Sequence, residues 1–152
     1  MNHDKWYFAY GSNLLVDQKE DRTGQIRQAL RARLPGYRFA FNKRGDKGQI
    51  YANIIPDESH EVWGVIYLCN PAAIKEMDKR EGVSGGHYAR QTVQVITDPG
   101  KEVSAETYIG GSDHLCDEGR PTDEYLNRIL DGGRHHGLPE EYILAIERLG
   151  TT

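Results

Sequence analysis

The chain is poor in the residues that most often announce a function. Only two cysteines, Cys69 and Cys116, occur in 152 residues. They are too few and too far apart for a disulfide framework or a C-x-x-C unit, so both are expected as free thiols. The six histidines, His3, His60, His87, His114, His135 and His136, fall into no H-x-x-x-H pattern and no Cys/His cluster, so no metal site is expected. No apolar run approaches the roughly 18 residues of a spanning helix. Met1-Asn2-His3-Asp4 shows no secretory pattern, and a cytoplasmic protein without a membrane partner is the expectation. Positive charge is not in excess either: 19 Lys and Arg face 23 Asp and Glu for a net charge of −4. The basic residues are scattered, which argues against nucleic acid as a partner. Repeats and low-complexity segments are absent. A chain of this length fits one domain, residues 1–152, and buries roughly two thirds of its unfolded surface.

What the chain does have is Tyr7-Phe8-Ala9-Tyr10-Gly11-Ser12-Asn13-Leu14, an apolar and aromatic run cut off by a glycine and two short polar residues. Residues 5–10 are bulky and β-favouring, Gly11 admits backbone angles that other residues avoid, and Ser12 or Asn13 can cap a following helical turn. The pattern is that of a strand delivering a tight loop. Consecutive N–H groups in such a loop form a concave positive site suited to a carboxylate or a developing oxyanion. The same eight residues also suit an ordinary buried strand and turn.

Downstream, Glu20, Asp21 and Arg22 lead to Ile26, Ala29 and Leu30, whose i, i+3, i+4 spacing predicts a short helix ended by Leu34-Pro35-Gly36. Tyr37, Phe39 and Phe41 then alternate with Arg38, Ala40 and Asn42, the period of a strand with one aromatic face. The basic stretch Lys43 to Gly48 could attract an acidic ligand, but a solvated turn is the plainer reading. Ile50–Ile55 and Val62–Cys69 read as two strands around the turn Pro56-Asp57-Glu58-Ser59. The second is so apolar that it should be central and buried on both sides. Tyr88–Thr97 and Glu102–Ile109 form a hairpin around Asp98-Pro99-Gly100-Lys101, and residues 110–121 are loop. Two helices close the chain. Thr122 caps the first, which carries Tyr125, Leu126, Ile129 and Leu130 and stops at Gly132-Gly133, leaving His135-His136 at a solvated end. The other begins near Pro139 and sets Tyr142, Ile143, Ile146 and Leu149 at helical spacing.

Between the central strand and the hairpin lies a helix marked at both ends: Asn70 as cap, Pro71 at the first position and Gly82 just past the end. Ile74 and Met77 define its inward stripe, and seven residues after Ile74 that stripe reaches Glu81 instead of an apolar residue. A carboxylate there is core-facing and lies at the negative end of the helix dipole, so burial and dipole should both raise its pKa toward that of a base working near neutrality. A glutamate snorkelling at a frayed helix end, or paired with a buried arginine, would give the same pattern.

With both features in view, Tyr7 to Leu14, Leu34-Pro35-Gly36-Tyr37, Glu61-Val62-Trp63-Gly64-Val65, Glu81-Gly82-Val83 with Tyr88, and His136-Gly137-Leu138-Pro139 resemble the γ-glutamylcyclotransferase family, in order and across nearly the whole chain. The resemblance implies an α+β fold, a compact mixed β-barrel of about six strands flanked by helices. It places Glu81 where the family has its catalytic acid/base. It puts Tyr10, Gly11, Ser12, Asn13 and Leu14 in the substrate-cradling loop, with Tyr7, Tyr88 and Tyr125 in the pocket. Ile50-Tyr51 and Ser84-Gly85-Gly86-His87 depart from the family pattern beside the pocket, which leaves the specificity for the leaving group open.

The implied reaction cleaves a γ-glutamyl amide without water. The substrate's α-amine attacks its own γ-carbonyl, closes a ring of 5-oxoproline and expels the attached amine. It requires a folded substrate, a base and an oxyanion site, but no metal or cofactor. The expected partner is a small γ-glutamyl compound, met by a monomer or homodimer. A cyclotransferase acting on a γ-glutamyl amine or a γ-glutamyl-capped biosynthetic intermediate, and a non-catalytic ligand-binding module of the same fold, are the alternatives.

Overall fold

In the computed structural model residues 3–14, 28–98 and 100–151 are described. The described strands are β1 (Lys5–Ala9), β2 (Ala29–Arg44), β3 (Ile50–Cys69), β4 (Tyr88–Thr97) and β5 (Lys101–Gly110). They close into a barrel in the order β1-β3-β2-β4-β5. Neighbours run antiparallel except β1 and β5, which meet in parallel at Tyr7 and Glu106 and complete the ring. Three described helices flank it: α1 (Pro71–Arg80), α2 (Asp123–His135) and α3 (Glu140–Thr151).

Five strands replace the expected six because Ile50–Ile55 and Val62–Cys69 are one continuous strand, β3. The turn signal at Pro56–Ser59 is real but local. Pairing with β2 slips between Pro35↔Glu61 and Tyr37↔Pro56, so the extra residues of β3 bulge outward there. The Asp57 carboxylate accepts from Ser59 N–H at 3.0 Å within that bulge. The length of β2 has the same origin. Ala29 and Leu30, expected in a helix, are paired with Tyr67 and Ile66, while Glu20, Asp21, Arg22 and Ile26 lie outside the described residues. Alanine, leucine and arginine favour helix in isolation, yet cross-strand pairing prevails and buries Ala32 and Leu34 with alternating period.

The core fills the barrel and the seam under the helices. Phe8, Val62, Val65, Ile66 and Tyr67 are wholly buried, confirming the Val62–Cys69 segment as central. Thr122 caps α2 as expected, accepting from Tyr125 N–H at 3.2 Å. That helix runs through Gly132-Gly133 to His135 instead of stopping there. Both glycines are buried, and a Cβ on Gly133 would already touch Ile143 and Leu138, so the smallness of Gly133 serves helix packing. The left-handed residue that follows is Gly137, at φ 69°. No described helix is long and apolar enough to cross a membrane. No disulfide joins Cys69 and Cys116.

Candidate active site

After β1 the chain enters a single 3₁₀ turn, Ser12–Leu14, closed by Leu14 N–H donating to Gly11 O at 3.0 Å. The turn is gripped by its carbonyls. The Tyr67 hydroxyl donates to Asn13 O at 3.0 Å, and His136 Nε2 lies 2.9 Å from Leu14 O. Half-buried His136 is therefore a buttress of this loop, not part of a solvated helix end. With these carbonyls drawn into the protein, Gly11, Ser12 and Asn13 face a cavity of about 500 Å³. Leu14 does not line it: its side chain is fully buried and its amide is used within the turn. Gly11 does not adopt the left-handed conformation either. A Cβ there would sit 3.5 Å from both Ala52 Cβ and Tyr125 Oη, so glycine keeps room for the pocket wall.

Glu81 enters the same cavity from α1. The end signals of that helix are all used. Asn70 Oδ1 accepts from Ala73 N–H at 2.8 Å, Pro71 occupies the first turn, and Glu81 is the C-cap, its own N–H bonded to Met77 O at 2.9 Å. Gly82, at φ 66°, turns the backbone away where a side chain would be strained. The carboxylate reaches the loop at Asn13. Asn13 Nδ2 lies 3.5 Å from Glu81 Oε1 and donates to the Tyr7 hydroxyl at 3.0 Å, tying base, loop and β1 into one cluster.

Tyr7, Tyr10, Tyr88 and Tyr125 line the cavity, as expected. Their hydroxyls do defined work: Tyr125 accepts from Ala52 N–H at 3.1 Å, Tyr88 donates to Ala52 O at 2.7 Å, and Tyr10 donates to Tyr108 O at 2.5 Å. Burial first, and then the charge of Glu81, hold the Tyr10 phenol well above its usual range. Tyr88 is raised for the same first reason, with neighbouring Tyr125, Tyr10 and Glu81 adding to it. These phenols stay protonated near neutrality and serve as donors.

Sequence reasoning set Tyr51 and His87 only beside the pocket and did not single out Lys43 or Tyr108, yet all four line it. Lys43 lies within β2 and is 3% exposed, so it does not belong to the solvated turn expected over Lys43 to Gly48, while residues 45–48 do form an exposed turn. A signal existed: two residues past Phe41, the alternation of Tyr37, Phe39 and Phe41 reaches Lys43. Its Nζ lies 2.6 Å from His87 Nδ1, and 5.6 and 5.1 Å from the ring centres of Tyr51 and Tyr88. Burial lowers its pKa, while Asp46 and Glu81 pull the other way. His87 Nε2 reaches Asp46 Oδ1 at 3.1 Å, and the His114 ring stacks on His87 at 3.9 Å. The fold thus gathers Asp46, His87 and His114 with ligand-type atoms within 4.8 Å of one another, a grouping invisible in their spacing.

A small closed barrel whose cavity joins a strand-to-helix turn, a wall of tyrosines and the Glu81 carboxylate suits acid–base work on a small polar molecule. Known proteins make this specific. Residues 61–146 match the AIG2-like family. The chain is 33% identical over 141 residues to the γ-glutamylcyclotransferase of Homo sapiens, covering 90% of this chain and 73% of that protein. It is 28% identical over 165 residues to a γ-glutamyl cyclotransferase of Aspergillus oryzae, covering 93% of this chain and 59% of that one. A solved γ-glutamyl cyclotransferase superposes with a TM-score of 0.87 at 29% identity, covering 95% of this chain and 87% of that structure. The chain belongs to the AIG2-like family of γ-glutamylcyclotransferases.

Proposed function

We propose that this enzyme cleaves γ-glutamyl amides by ring closure, releasing 5-oxoproline and the attached amine. The observation that carries the reading is the Glu81 carboxylate set beside the Gly11–Asn13 turn in a cavity sized for a small molecule. Glu81 takes a proton from the substrate's α-ammonium, and the freed nitrogen attacks the γ-carbonyl carbon. The oxygen that becomes negative is met by the amides of the loop. As that oxyanion collapses, the bond to the leaving nitrogen breaks. The two protons lost by the α-nitrogen end on the departing amine, with Glu81 as carrier, so no water is consumed and the carboxylate is regenerated. The tyrosine walls fold the substrate so that amine and carbonyl meet, which is where an intramolecular reaction gains most.

The test is a panel of γ-glutamyl amino acids, glutathione and γ-glutamyl amines, assayed for 5-oxoproline. Release from at least one class supports the reading and identifies the leaving group. No release from any of them, with 5-oxoproline still bound tightly, would make the chain a binding module.

A further inference from the structure

Among the described residues Lys43 is the only buried lysine or arginine, and no carboxylate pairs with it. Its polar contact is an imidazole, and its flanks are the faces of Tyr51 and Tyr88. A buried cation without an anion is costly, and such a group persists where a ligand completes it. Two other cations line the cavity, but Lys47 is exposed and exposed Arg80 is engaged by Glu76 at 3.1 Å. Lys43 and Glu81 share the cavity and feel each other's charge without pairing. A carboxylate and an ammonium held apart across one pocket are the mirror image of an α-amino acid head, whose ammonium and carboxylate share one carbon.

Resting on the γ-glutamyl reading above, we propose that Lys43 is the residue that binds the α-carboxylate of the glutamyl group, opposite the α-ammonium held by Glu81. His87 braces it. With the ammonium donating to Nδ1, the ring hydrogen lies on Nε2 and donates to Asp46, so the lysine keeps two N–H bonds for the carboxylate. The same contact makes His87 a poor ligand for a metal ion, since a cation already sits on its other nitrogen. Because 5-oxoproline retains the α-carboxylate, Lys43 holds the product as well as the substrate.

The test compares 5-oxoproline with 2-pyrrolidinone, the same lactam without the carboxylate, by calorimetric titration of the wild type, Lys43→Met and Lys43→Arg. The wild type should prefer 5-oxoproline. Lys43→Met should weaken its binding by about 10- to 100-fold, the size of one lost charge-assisted bond, and leave 2-pyrrolidinone unchanged. Lys43→Arg should restore part of the loss. A wild type that binds both lactams equally, or neither, overturns the proposal without any variant. In kinetics, Lys43→Met should lower kcat/KM by the same factor on a γ-glutamyl amino acid and on γ-glutamyl ethylamide. A loss confined to the amino acid would assign the lysine to the leaving group and refute the inference. If the wild type releases no 5-oxoproline from any substrate, the proposed reaction fails, and the lactam comparison still judges Lys43 by itself.

Discussion

Replacing Glu81 by glutamine removes the base while keeping the length of the side chain and one acceptor oxygen. The backbone N–H of Glu81 caps α1 whatever side chain it carries, and the Asn13 amide approaches Oε1 only at 3.5 Å, a contact an amide oxygen can also make. The glutamine cannot accept the α-ammonium proton. Loss of general acid–base catalysis typically costs about 10²- to 10⁴-fold in kcat, or about 2.7 to 5.4 kcal/mol of barrier. The assay is 5-oxoproline release at saturating substrate, with thermal unfolding of both proteins as control. A folded Glu81→Gln enzyme with near-wild-type kcat would refute the assignment.

Tyr88→Phe and Tyr125→Phe should raise KM more than they lower kcat, since both rings shape the cavity in ground and transition states alike. Tyr125→Phe should also cost about 1 kcal/mol, because Ala52 N–H loses its partner; unchanged KM in both variants would remove them from the site. Ser12→Ala should be mild, whereas Gly11→Val should cost about 10²- to 10³-fold in kcat by displacing the loop amides. The valine would crowd Ala52 and Tyr125, which a Cβ alone would reach at 3.5 Å. A dead but folded Ser12→Ala enzyme, or a glutamyl ester trapped on Ser12, would replace ring closure with acyl transfer. Burial lowers the His136 pKa below its ordinary 6.5. Between those two values the unfolded chain binds more protons, so stability rises with pH and is lost as pH falls through the window. Urea midpoints of His136→Gln between about pH 5 and 7.5 should show a flatter slope than the wild type, and an unchanged slope would contradict the role given to this burial.

How much of this was readable in advance follows from the range of each signal. The ends of α1 are set by neighbouring residues, so Asn70, Pro71 and Gly82 could be read directly, and with them the position of Glu81. The Tyr88–Thr97 hairpin was readable for the same reason. The segment 29–34 was not, because its helix-forming composition is overruled by Val62–Tyr67 on the neighbouring strand. Pro56–Ser59 carries an authentic turn signature that the chain spends on a bulge. Gly132-Gly133 resembles a helix stop but is a packing seam. Lys43 and His87 are 44 residues apart and meet through barrel closure, so only the continued alternation beyond Phe41 could have pointed to the lysine. The loop was recognised from its residues, but its fastening by Tyr67 and His136 depends on contacts 54 and 122 residues away.

The central claim is that the nucleophile is the substrate's own amine and not water. Turnover of a γ-glutamyl substrate in ¹⁸O-enriched water tests it directly, with the products resolved by mass. Ring closure predicts unlabelled 5-oxoproline and no free glutamate, whereas glutamate carrying ¹⁸O in its γ-carboxylate would show hydrolysis and contradict the account.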